Sequence, residues 1–148
     1  GLKVFKQRWY VLAASEYPDG RLLVYSLDRF REVERTDISY TIPSDFDINE
    51  HFRSFYGVPS LSNAQPEIVQ LRVDASQVKF FRTLPLHHSQ EEIETTDAYS
   101  VFEYYMIPTI DLTKEILSNT PYIEVLLPQS LREEIKEKVK KMGERYGE

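Results

Sequence analysis

Cysteine is absent from these 148 residues, which excludes a disulfide framework and a thiolate metal site. The absence fits a reducing compartment, and a cytoplasmic location is the expectation. No run of eighteen apolar residues occurs, so no segment reads as a membrane-spanning helix. Nor does a positively charged leader precede an apolar stretch, so export is not expected. Glycine is scarce, with five residues, and none stands in a Walker or G-x-G-x-x-G loop that would cradle a phosphate. The serines lack nucleophile-elbow glycines, and no H-E-x-x-H or EF-hand pattern appears. His87 and His88 are the only adjacent histidines and have no thiolate to supplement them, so neither a metal nor any other cofactor is expected. Catalysis finds no support in this inventory, and the chain reads as a non-enzyme.

Basic charge is also in short supply. The net charge of −6 argues against a wholesale nucleic-acid coat. It is unevenly spread, however: residues 1–35 carry seven Lys/Arg against five acids, whereas residues 61–148 carry ten against fifteen. Contact with a polyanion therefore belongs on the first segment, because phosphate neutralisation needs clustered Lys and Arg. The Lys136 to Lys141 stretch alternates with acids and reads as an exposed helical face. With 41% hydrophobic and 28% charged residues, the chain can bury one modest core or two small ones.

What is present at the start is strand material. Arg8-Trp9-Tyr10-Val11-Leu12-Ala13-Ala14 is an aromatic and aliphatic run of the kind found in strands buried on both faces. Pro18-Asp19-Gly20 supplies a turn, and Arg21 to Leu27 returns as the second arm of a hairpin. Leu2 to Lys6 reads as a third strand, joined through a tight turn near Gln7. Three meandering strands leave two open edges and need a covering face or a closed barrel. Lys3, Lys6 and Arg8 read as solvated edge charges that discourage strand addition.

Asp47, with Glu50 three residues on, predicts the N-cap of a short helix ending before Gly57. Val58 to Pro66 has linker composition. Alternation then predicts a strand over Glu67–Val73, a helix over Ala75–Leu84 with Val78, Phe81 and Leu84 on one face, and a hairpin of residues 91–96 with 100–108 turning near Asp97-Ala98. The acidic Glu91-Glu92-Ile93-Glu94 stretch reads as a solvated edge strand. A helix capped by Asp111, a strand over Tyr122–Leu127 and a terminal helix opened by Ser130 complete the chain. Leu131, Ile135, Val139 and Met142 form one stripe on that helix. The order β-α-β-β-α-β plus a helix is the ferredoxin-like arrangement.

Both halves resemble one family. Leu2-Lys3-Val4-Phe5, Arg8-Trp9-Tyr10-Val11, Leu27-Asp28-Arg29-Phe30 and Ile42-Pro43-Ser44-Asp45-Phe46-Asp47 make residues 1–42 similar to the C-terminal portion of a WYL domain, the sensor module of many bacterial transcription regulators. His88-Ser89-Gln90 and Pro128-Gln129-Ser130-Leu131-Arg132 make residues 66–148 similar to the WCX extension that follows it, with residues 43–65 as a linker containing a short helix. The resemblance implies an α+β chain: a partial Sm/SH3-like β-barrel followed by a ferredoxin-like βαββαβ domain with an extra C-terminal helix. Val11 departs from the family tripeptide, which ends in Leu. The barrel's opening strands and the helix-turn-helix of the family are not in the sequence, so non-native or swapped packing is expected around residues 2–27. DNA contact is expected only through that missing element.

The implied function is effector sensing and dimerisation. Arg21 and Arg29 are the expected ligand residues, with Tyr25, Trp9, Tyr10 and Arg8 around them. An arginine forks onto a phosphate or carboxylate, and an aromatic ring stacks on a base. Asp28, or the acids at 32 and 34, competes for Arg29. For Trp9 and Tyr10 the competing reading is a place in the core, where strand aromatics more often sit. The expected partners are single-stranded nucleic acid or a nucleotide-like effector, and further copies of the chain. The alternative is a purely structural dimerisation module without a ligand.

Overall fold

The computed structural model describes residues 1–15, 22–39, 41, 44, 46–59 and 64–147. Within them the chain is a mixed α+β protein with two antiparallel sheets and four α-helices. The turn expected at Pro18-Asp19-Gly20, the strand start at Arg21, and Ile42, Pro43, Asp45 and residues 60–63 of the linker lie outside the described residues.

The first sheet is β1 (Leu2–Phe5), β2 (Arg8–Ala14) and β3 (Leu22–Ser26), in that spatial order. Lys6 and Gln7 join β1 to β2 with φ of 45° and 65°. Two successive positive φ values give the tight hairpin turn whose twist suits antiparallel strands. The described strands form an open sheet. Burial of β2 on both faces, expected from its composition, does not occur. Only Leu12 is buried among its residues, while Trp9 remains 54% exposed. One side of the sheet faces the rest of the molecule, and on the other Leu2, Val4, Trp9 and Tyr25 are exposed.

A 3₁₀ turn (Leu27–Arg29) follows β3, and α1 (Ile48–Arg53) starts where expected. The Asp47 carboxylate accepts from the Asn49 and Glu50 amides at 2.7 and 3.4 Å, satisfying donors the first turn leaves unpaired. The backbone after α1 docks on the second unit: Ile107 N–H donates to Ser54 O at 2.6 Å, and the Thr109 hydroxyl to Tyr56 O at 2.6 Å.

That unit comprises β4 (Glu67–Asp74), α2 (Ala75–Thr83), β5 (Glu91–Thr95), β6 (Tyr99–Met106), α3 (Ile110–Ser118), β7 (Ile123–Leu127) and α4 (Gln129–Tyr146). Its strands lie in the order β5-β6-β4-β7, and every pairing is antiparallel. Strand alternation puts Val69, Leu71 and Val73 on one face beside Phe102, Tyr104 and Met106. Val78 and Phe81 of α2, Leu112 and Ile116 of α3, and Leu131 of α4 complete this single core. Full burial of such side chains contributes about 1.5–3 kcal/mol each. Tyr104 keeps its polar end satisfied by donating to Gln90 Oε1 at 2.9 Å, and burial pushes its phenol above the ordinary range.

Three local expectations change. The N-cap of α3 is Thr109, whose hydroxyl accepts from Leu112 N–H at 3.3 Å, because Asp111 is engaged with Val58 N–H at 3.1 Å. Pro128 precedes α4, so the helix begins at Gln129 with no side-chain cap from Ser130. Leu84 lies past the end of α2 and is exposed, unlike Val78 and Phe81. Among the described residues no helix is long and apolar enough to cross a membrane.

Candidate ligand-binding face of the N-terminal sheet

The cross-strand register decides which expected site residues can act together. Leu2 pairs with Val11 and Val11 with Tyr25, while Val4 pairs with Trp9. Side chains in directly opposed positions share a face. Leu2, Val4, Trp9, Val11 and Tyr25 therefore project together, and all but Val11 are exposed. Phe30 extends this face, with its ring centroid 6.5 Å from that of Tyr25. Arg8 and Tyr10 point the opposite way, since Arg8 pairs with Phe5 and Tyr10 with Lys3 and Ser26. The expected residues thus divide between two faces rather than lining one pocket.

Arg29 closes the 3₁₀ turn and is exposed. The carboxylate beside it is engaged elsewhere: Asp28 accepts from the Ser26 hydroxyl and pairs with Arg8 at 3.5 Å. The Ser26 hydrogen bond, with smaller contributions from Arg8 and Arg29, holds the Asp28 carboxyl below its usual range. Asp28 thus engages Arg8 at the start of β2, and Arg29 stands exposed one residue before Phe30. Arg21 lies outside the described residues. An exposed face carrying Trp9 and Tyr25 can stack planar rings.

The other face of the sheet is committed to the second unit. Phe5 meets the Tyr56 ring edge-on at 6.0 Å. Lys3 and Lys6, expected to be solvated edge charges, are instead tethers: Lys3 Nζ donates to Gly57 O at 2.7 Å, and Lys6 Nζ pairs with Glu115 at 2.9 Å. Glu115 also accepts from the Tyr56 hydroxyl at 2.9 Å. Burial opposes its charge, yet the hydrogen bonds from Lys6 and Tyr56 hold its carboxyl below the ordinary range. Gly57 is required at this junction. Its φ is 77°, and a Cβ there would lie 2.6 Å from Asp111 Oδ2 and 3.0 Å from Phe5 Cζ. These partners are 54 and 109 residues apart for Lys3 and Lys6, so no local pattern announces them. The period-two placement of Leu2 and Val4 opposite Val11 and Trp9 was the available signal for the exposed face.

No curated protein matches the chain. Residues 65–143 match the family model described as the WCX domain, the C-terminal extension of WYL-family regulators. They span the second unit from the approach to β4 to near the end of α4. The chain belongs to the WCX domain family.

Proposed function

We propose that the chain is the ligand-sensing and oligomerising region of a bacterial WYL-family transcription regulator acting in the cytoplasm. In this reading the 67–146 unit is a ferredoxin-like scaffold with an added helix, and the N-terminal sheet is part of an Sm/SH3-like barrel. The effector is an anion bearing planar rings, a single-stranded nucleic acid or a nucleotide-like molecule. Arg29 and Arg21 pair its phosphate while Trp9 and Tyr25 stack on its bases. The observation that carries this reading is the exposed face of Trp9 and Tyr25 on a sheet tethered through Lys6 to a WCX domain. To regulate, the effector must bind one arrangement of subunits better than another, because equal affinity shifts nothing.

Trp9 is the only tryptophan, so its fluorescence reports directly on the face. Titration with short single-stranded DNA, RNA and nucleotides is expected to give saturable binding that weakens with salt and is lost in Arg29→Ala and Arg21→Ala. Silence towards all three, with unaltered folding, would remove the anionic effector. The apolar character of the same face favours a second reading, a purely structural dimerisation module. Under that reading, Trp9→Ser changes sedimentation but no ligand response exists.

A further inference from the structure

The apolar stripe of α4 continues beyond the core that covers its start. Leu131 is buried and Ile135 packs partly against the core, but Val139, Met142 and Tyr146 are 40%, 44% and 88% exposed. Ile135, Val139, Met142 and Tyr146 follow one another at intervals of four, three and four residues. That alternation keeps a stripe on the side of a helix that faces a second helix. The positions bordering the stripe are Lys136 and Gly143 on one side, Lys138 and Arg145 on the other. No acid borders it. Glu133, Glu137 and Glu144 fall on the opposite side of the helix, and Glu134 turns to α3, where it accepts from the Thr113 hydroxyl at 3.2 Å. Lys136 pairs with Glu133 at 3.4 Å and Lys138 with Glu134 at 3.7 Å. Exposed pairs of this kind contribute little, so both ammonium groups are free to turn to a better partner.

We propose that the second half of α4 docks an acidic amphipathic helix of a partner protein. Its apolar residues would cover Val139, Met142 and Tyr146, and its carboxylates would pair with Lys136, Lys138 and Arg145. Charge complementarity selects this occupant. A second copy of α4 offers only cations and a glycine along the same borders, so no ion pair forms across such a seam. An anionic membrane surface is the poorer match, because interfacial helices anchor through Trp, Phe or Leu and the exposed part of this stripe has none. From Ile135 to Tyr146 the stripe is about three turns long, which makes the contact a weak one that charge steers and salt loosens. The inference is independent of any ligand on the Trp9 face.

A synthetic helix of about three heptads, with Leu at the seam positions and Glu along both borders, tests this docking against a control with Lys in place of Glu. Amide shifts of the full chain are followed as each helix is added, at low and at moderate salt. The Glu helix is expected to give saturable shifts in residues 135–146, weakened about fivefold or more by the added salt, and the Lys helix none. The double variant Val139→Gln, Met142→Gln should lose at least about tenfold in affinity. Both side chains are already exposed, so its fold should persist. Lys138→Glu with Arg145→Glu should turn the preference towards the Lys helix, an exchange that a merely structural stripe would not produce. Three results would overturn the proposal: no saturable shift up to about 1 mM Glu helix, shifts centred on another element, or an equal response to both helices. Sedimentation of the chain alone supplies a fourth, since self-association abolished by Val139→Gln, Met142→Gln would make a second copy the occupant.

Discussion

In β4 the side chains at 69, 71 and 73 are buried, whereas in β2, a more apolar strand, Leu12 alone is. The difference lies in what covers each strand. Val69, Leu71 and Val73 share one core with Val78 and Phe81 of α2, which follows β4 directly, and with Leu112 and Ile116 of α3. The sheet that holds β2 docks on Tyr56 and Gly57 through Phe5 and Lys3 of β1, and the opposite side of β2 carries Trp9 into solvent. Apolar composition therefore predicts that a strand forms, but the neighbouring elements decide which of its faces is buried.

The contrast gives ranked expectations. Phe102→Ala, deep in the second unit, should cost about 3–5 kcal/mol in urea unfolding. Trp9→Ala should cost less than about 1 kcal/mol, since more than half of the residue is already exposed. Equal losses would break the comparison. Gly57→Ala comes next, at about 1–3 kcal/mol, from its left-handed backbone and the collision with Asp111 and Phe5. Amide shifts in that variant should reach β1 while leaving β5 untouched.

Glu115→Gln should cost about 1 kcal/mol through the weakened Lys6 and Tyr56 hydrogen bonds. Because the folded Glu115 carboxyl is held below its usual range, its contribution is complete above the unfolded glutamate value and disappears as pH falls through the folded value. Acid titration of stability in the wild type and the variant should therefore converge at low pH. The smallest effect belongs to Arg82→Ala, because Arg82 is exposed and a solvated ion pair contributes little. Arg82 holds Glu92 down to about 2, so the pair persists in acid and is lost only between pH 4.5 and about 2. A wild-type advantage that vanished already at pH 5 would contradict that assignment.

The second unit was the more legible region. The hairpin at Asp97-Ala98 and the exposed acidic edge strand β5 follow from local alternation, as the Asp47 cap ahead of that unit follows from capping chemistry. Thr109 displaced Asp111 as a cap because Asp111 serves Val58, a partner far away in sequence. The α4 stripe is covered only at its start: Leu131 is buried and Ile135 partly so, while Val139 and Met142 are exposed where the helix runs past the sheet. In the N-terminal sheet the strands and the Gln7 turn were legible. That Trp9 faces away from Arg8 and Tyr10 follows from strand alternation, but that Tyr25 joins Trp9 was not legible, because it depends on register, and a shift of one residue would move it to the other face. Lys3 and Lys6 looked like surface charges because their acceptors, Gly57 and Glu115, are far away in sequence.

The central claim is that ligand recognition belongs to the N-terminal sheet and the 67–146 unit serves as its scaffold. Hydrogen exchange with and without a saturating single-stranded oligonucleotide compares the two regions in one experiment. Added protection is predicted in peptides covering residues 8–12 and 22–30, with β4, β6 and α3 unchanged. Protection confined to the 67–146 unit would contradict the account.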